Sequence, residues 1–474
     1  MFSAKENKYI RLFKNTGWVF IGNISNKIVA FLMLPFYTHW MKPEEYGMSE
    51  LLLAYSALLY GLFSCCIQDA IFIYPKGKPL NKQQRYFTTG VFWLFFQCIV
   101  ATLLLKSFLK IVQIFSDVSF AQGYFWYIML FVSLMMFQNY FQQFCRAINK
   151  MRVYAMSGVM MTIVTAVVAW LLVPRFRVIG FIHAQIAGYA VAVVYLFLDG
   201  HCARYFVFDF RMKLYLLQML KYSIPLIPSI LMIWVVNLLN RPLLEIYVGM
   251  AGIGLFSIAQ KLPILISSLS LNLGNAWQIT VVEEFRNDGY AFFYTKMMKF
   301  VFSICLLASI VVSLLLPVFY HYFINEKFYP SMPYVPFLLL WSIFSFMSVM
   351  VGANFSAVKQ SKYFMYSGIA SALSAILLYV LLIPFAGLAG AVVALIASSG
   401  VTLGLRIFYA WRLVHDRNLF AYIFFSCVYL FFCFITCSCS YAVIGTGAFF
   451  FGALLLWWNK DSFGSLRSRF RRLG

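Results

Sequence analysis

The sequence predicts an all-α polytopic membrane protein of about fourteen transmembrane helices. Three observations predict it. Hydrophobic residues make up 63% of the 474 positions and charged residues only 11%, against roughly 25% charged in an ordinary soluble domain. Mean hydropathy is +0.83. The apolar residues fall into stretches of about 20, the length needed to cross a bilayer. A soluble chain of this size would lack the charge to cover its surface.

The spans are expected at 16–40, 48–74, 88–112, 124–145, 155–174, 181–199, 222–248, 254–282, 295–321, 335–357, 364–383, 386–405, 420–438 and 441–458. Several contain Pro or Gly, which packed helices in lipid tolerate. The start, MFSAKENKYIRLFKN, is basic and polar and precedes a stretch long enough to span, so it reads as a retained first helix rather than a cleaved signal.

Basic residues set the orientation. Of 37 Lys and Arg, 28 lie at or near the termini and the even-numbered loops, 7 lie toward the other side, and Lys27 and Lys261 remain inside spans. Positive loops stay in the cytoplasm, so both termini are expected there. The net charge of +22 therefore implies contact with anionic lipid headgroups. No basic face is long enough to track nucleic acid. The ten cysteines lie almost all in apolar stretches without metal-ligand spacing, and no metal or cofactor is expected beyond a coupling proton or sodium ion.

The chain also repeats itself. A shift of 210 places CRAINKMRVYAMSG (145–158) on FSAVKQSKYFMYSG (355–368) and LLVP (171–174) on LLIP (381–384), and matches Gly180 to Gly390 and Ala184 to Ala394. A constant offset over several spans marks duplication. The unit has six spans, so both halves keep one orientation, and two parallel bundles around a central cavity are expected. Residues 1–200 form the first bundle and 214–410 the second. Residues 411–474 add two helices and a basic cytoplasmic tail.

Within this frame, the opening NTGWVFIGNISNKIVAFLMLPFYTHWMKPEEYGMSELLLAYSALL resembles the start of Wzx-type O-antigen and polysaccharide flippases. It shares the first helix with Asn and Gly, the Leu34, Pro35, Tyr37 and Thr38 pattern, and the loop Pro43 to Gly47. NRPLLEIYVGMAGIGLFSIAQKL (240–262) is the weaker counterpart in the second half. The larger group, the multidrug/oligosaccharidyl-lipid/polysaccharide (MOP) exporter superfamily, also holds multidrug and toxin extrusion transporters and lipid II flippases. The resemblance implies export of an undecaprenyl-pyrophosphate-linked oligosaccharide, an O-antigen or capsule or exopolysaccharide repeat unit, from the inner to the outer leaflet. It makes lipids, and other polysaccharide assembly proteins, the expected partners.

Such a cargo needs a cationic, polar path. Lys27 lies about 18 Å into span 1, with Asn23 on its face and Asn26 beside it. Intramembrane ionisable residues usually face a cavity; a carboxylate held for packing alone is the blander use of such a lysine. Lys261 lies beside Gln260 in span 8. Asn237, Asn240 and Arg241 echo the Asn-x-x-Asn-basic pattern of 23–27, although Glu245, four residues on, would also suit a helical ion pair. Arg146 ends span 4, where it can meet a pyrophosphate or anchor the interface. Asp69 is the carboxylate assigned to a coupling ion. The alternative is an ion-coupled multidrug or cation exporter of the same superfamily, but basic residues in spans 1 and 8 favour an anionic cargo. An enzyme is not expected, since no long loop, paired carboxylates or phosphate-cradling glycines are evident.

Overall fold

The computed structural model describes residues 27–112, 123–207, 212–414, 419–438 and 441–458. The regular structure among them is helical. The main helices are α1 (Leu34–Trp40), α2 (Pro43–Phe63), α3 (Ile67–Ile73), α4 (Leu80–Val112), α5 (Phe125–Ala147), α6 (Met151–Asp199), α7 (Met212–Ser223), α8 (Ile227–Leu238), α9 (Asn240–Tyr247), α10 (Met250–Glu284), α11 (Tyr290–Phe323), α12 (Tyr334–Ala357), α13 (Lys362–Trp411), α14 (Leu419–Ser438) and α15 (Tyr441–Trp458). Among the described residues, seven helical stretches are long and apolar enough to cross a membrane, with α7 to α9 (212–247) counted as one, or eight if the pair α2 and α3, bent by 56°, is one span.

Two of them hold two spans each. α6 has 49 residues and α13 has 50; straight, each would reach about 75 Å, more than twice the hydrocarbon thickness. Each doubles back at one residue outside helical geometry, Arg177 (φ 49°, ψ −119°) and Gly387 (φ 54°, ψ −123°). Contacts between the legs confirm the reversal. Ser371 donates to the Ser398 carbonyl at 3.3 Å, and Arg406 Nε lies 3.2 Å from Ser367 Oγ. In α6, a Cβ on Gly188 would collide with Thr165. With these hairpins split, each expected span contains helix among the described residues, and residues 16–26 of the first lie outside them; the reading of about fourteen helices stands.

The 210-residue offset is written into the backbone. Arg177 and Gly387 are 210 apart, and so are the left-handed residues Asn149 (φ 64°) and Lys359 (φ 57°). Each of the latter ends a helix in the same way. The next N–H reaches back five residues, Lys150 to the Cys145 carbonyl at 2.8 Å and Gln360 to Phe355 at 2.9 Å, the helix stop that a left-handed residue provides. Gly180 and Gly390 are pressed against the carbonyls of Leu172 and Leu382, with no room for a Cβ. These equivalences lie at helix ends and beside the reversals, where apolar composition alone cannot produce them.

By spatial contact the chain divides between Trp234 and Val235, inside α8 rather than between the two repeats. The reason is local. α7 packs on the first unit through Tyr86 Oη, which donates to Gln218 Oε1 at 2.8 Å, and Tyr74 Oη, which donates to the Gln218 carbonyl at 2.9 Å. Trp234 Nε1 donates to the Ala54 carbonyl at 2.9 Å. The first unit's core centres on Phe87, Tyr140 and Phe144, all fully buried. In the second, α12 packs against α10, α11 and α13.

Candidate functional site

Among the described residues of the first unit, the most enclosed carboxylate or basic side chain is one that sequence reasoning missed. Glu50 lies two turns into α2, about 10 Å from its start, and is 6% exposed. Tyr46, one turn earlier on the same face, donates its hydroxyl to Glu50 Oε1 at 3.1 Å. The Tyr37 ring lies tilted at 6.4 Å from Tyr46, and Phe181 lies edge-on to Tyr37 at 5.4 Å. Its neighbours explain the oversight. Glu44 and Glu45 open the same helix, and Glu45 accepts from the Lys42 N–H at 2.8 Å, an ordinary capping bond. Glu50 therefore reads as the last member of an interfacial acidic run. The usable signal was its position: one turn past Tyr46, with the apolar LLLAYSALL beginning beside it.

Asp69 is only half-buried and lies just beyond the break between α2 and α3. Gln68 Nε2 reaches its Oδ2 at 3.5 Å. The break consists of Ser64 and two left-handed cysteines, Cys65 (φ 48°) and Cys66 (φ 55°). One turn further, Phe72 carries two cations: the Arg146 guanidinium at 4.4 Å and the Lys76 ammonium at 5.5 Å. Arg146 also lies 5.9 Å from the Tyr154 ring, and its Nη1 is 3.5 Å from Gln143 Oε1. The repeat supplies an internal comparison. The position 210 residues on from Arg146 is Ser356, so the helix end does not require an arginine. The α5 amides are spent internally: Asn139 donates to the Met135 carbonyl, and Gln142 to Ser157 Oγ and the Tyr154 carbonyl.

Lys27 is exposed in a helical stretch leading to α1. Asn23 and Asn26 lie outside the described residues. In the second unit, Lys261 is half-buried on α10 beside Gln260, which is buried. Asn237, Asn240 and Arg241 do come together, where α8 gives way to α9. Arg241 is 5% exposed and Asn240 fully buried. Asn240 Nδ2 donates to Tyr379 Oη at 3.3 Å, Tyr379 donates to the Val236 carbonyl at 2.7 Å, and Arg241 Nη1 donates to the Asn237 carbonyl at 3.3 Å. Asn240 Oδ1 has no hydrogen-bond partner. The cluster ties α8 and α9 to α13, and the burial that secures this tie also encloses the arginine. Among the described residues no group of three or more metal-ligating side chains occurs.

The fold is the one seen in solved transporters of the MOP superfamily. A lipid II flippase MurJ in an inward closed conformation superposes with a TM-score of 0.72 at 11% identity, over 95% of this chain and 99% of that one. An inward-facing multidrug resistance MATE family transporter gives 0.60 at 13%, over 83% and 94%. A MOP superfamily transporter from Pyrococcus furiosus gives 0.56 at 15%, over 84% and 96%. Curated protein sequences give no match. Residues 12–277, more than half of the chain, match the family of polysaccharide biosynthesis proteins. The chain belongs to that family.

Proposed function

We propose that this protein flips an undecaprenyl-pyrophosphate-linked oligosaccharide, an O-antigen or capsule or exopolysaccharide repeat unit, from the cytoplasmic to the outer leaflet of a bacterial inner membrane by alternating access. Both termini are cytoplasmic, and the protein makes and breaks no covalent bond in the cargo. The family match over residues 12–277 carries the reading. The sign of the intramembrane charge supports it. Lys27, Lys261 and Arg241 lie within apolar spans, and Arg146 and Lys76 converge on Phe72. An ammonium holds a phosphate as a point charge, so Lys27 and Lys261 bind a passing pyrophosphate without the two-pronged grip of a guanidinium. Domain limits of 1–200, 214–410 and 411–474 follow the duplicated sequence.

One observation favours the second reading, an ion-coupled drug or cation exporter: the enclosed carboxylate of Glu50. A single carboxylate also suits a coupling proton or sodium ion in a flippase, in which role Glu50 stands beside Asp69. Deletion of the gene separates the two readings. A flippase deletion accumulates the undecaprenyl-linked repeat unit and loses surface polysaccharide. Unchanged polysaccharide with raised drug susceptibility would establish the exporter.

A further inference from the structure

The second unit contains a cavity of about 300 Å³ walled by α11, α12, α13 and α14. Tyr294, Met298, Gly404, Trp411, Tyr422 and Leu430 mark its extent. Its lining is apolar, and the hydroxyl of Ser426 in its wall is taken up by the Tyr422 carbonyl at 2.8 Å. It exists because α13 and α14, consecutive in the chain, make no substantial contact. α14 instead packs on α11, α12 and α15. Gly404 faces the gap; a Cβ there would meet nothing within 4 Å. Gly404, Ile423 and Cys427 are exposed, so the cavity opens sideways, where hydrocarbon rather than water is the solvent.

Its two ends differ. Toward Leu430 and Gly400 the wall is hydrocarbon. Toward Trp411 and Tyr422 stand cations. Lys299 follows the wall residue Met298, and its ammonium sits 4.8 Å from the ring of Trp458, which lies 6.1 Å from Tyr422. Arg412 follows the wall residue Trp411 and lies over Phe408 at 5.2 Å. The four wall helices contain no Asp or Glu. From Gly400 to Arg412 the helix rises about 18 Å, comparable to the depth of one leaflet.

We propose that this cleft is a binding site for an anionic phospholipid, one hydrocarbon chain occupying the cavity past Gly404 and the phosphate meeting Lys299 and Arg412. A long apolar slot with positive charge at one mouth matches that amphiphile and no soluble metabolite. The site belongs to the second unit alone and does not depend on what the protein transports.

The test is native mass spectrometry of the full chain purified in mild detergent, followed by thermal stability in vesicles of phosphatidylglycerol or phosphatidylethanolamine. The wild type should retain one anionic phospholipid per chain and melt higher in phosphatidylglycerol. Gly404→Phe fills open space and should lose the lipid; Gly404→Ala leaves room and should keep it. The double variant Lys299→Gln, Arg412→Gln should lose at least several-fold of the preference for phosphatidylglycerol while the chain still binds. Equal retention by Gly404→Phe, an unchanged preference in the double variant, or a retained lipid that is zwitterionic or an isoprenyl diphosphate would overturn the proposal. Should Gly404→Phe fail to fold, the double variant decides alone.

Discussion

A carboxylate at 6% exposure beside a tyrosine hydroxyl is costly to keep in lipid unless it is used. If Glu50 exchanges a proton or cation during transport, Glu50→Gln keeps the shape and the Tyr46 bond but removes the titrating group. Export should then fall at least tenfold at normal membrane abundance, measured as surface polysaccharide per copy of protein. Normal export would make Glu50 structural. Lys27→Ala should abolish surface polysaccharide, and Lys27→Arg should retain part of it, because charge survives while its geometry changes. Normal export by Lys27→Ala would remove span 1 from the cationic path. The Asn240 cluster tests differently. Tyr379→Phe removes the donor to the Val236 carbonyl and the acceptor for Asn240 Nδ2. It should lower stability by about 1–3 kcal/mol, seen as a lower melting temperature in detergent. Residue-level legibility followed chemistry type. Charges inside apolar runs, such as Lys261 and Arg241, stood out because hydropathy isolates them. Glu50 hid within an acidic helix start, and the cation pair on Phe72 depends on the approach of α3 to α5, which no local pattern encodes.

The helical hairpins are the elements where sequence and backbone agree most closely. LLVP and LLIP mark the same position in both halves, and each precedes the reversal by three residues. The turn geometry, with φ near 50° and ψ near −120°, is one that glycine adopts at low cost and that strains a side chain by about 1–3 kcal/mol. The second half has Gly387 there; the first has Arg177. Arg177→Gly should therefore leave the melting temperature unchanged or raise it, whereas Gly387→Arg should lower it. The opposite pair of shifts would show that these turns differ in conformation. Span lengths were legible because about 20 apolar residues between charged loops is a physical requirement. The 56° bend at Cys65 and Cys66 was not, since neither cysteine carries the Gly or Pro signal that ordinarily marks a break in a helix.

At the scale of the whole molecule, the duplication and the charge asymmetry act together. Both repeats hold six spans, so equivalent loops are expected on the same side, and the basic excess of those loops predicts the cytoplasmic one. In a cysteine-free background, Arg175→Cys should react with an impermeant maleimide on intact cells, and Lys359→Cys should react only after lysis. Labelling of both from outside would refute the parallel topology. The family and fold were legible as a whole because the opening motif and the repeat are sequence features. The spatial division inside α8 was not, because it arises from Gln218 and Trp234 packing back onto the first unit. The central claim, translocation of an undecaprenyl-pyrophosphate-linked oligosaccharide, is tested most directly in sealed vesicles carrying that lipid in both leaflets, with a membrane-impermeant glycosidase added outside. With the protein present, the digestible fraction should rise from about one half toward completion, and Lys27→Ala should hold it near one half. A wild-type fraction that stays near one half would contradict the account.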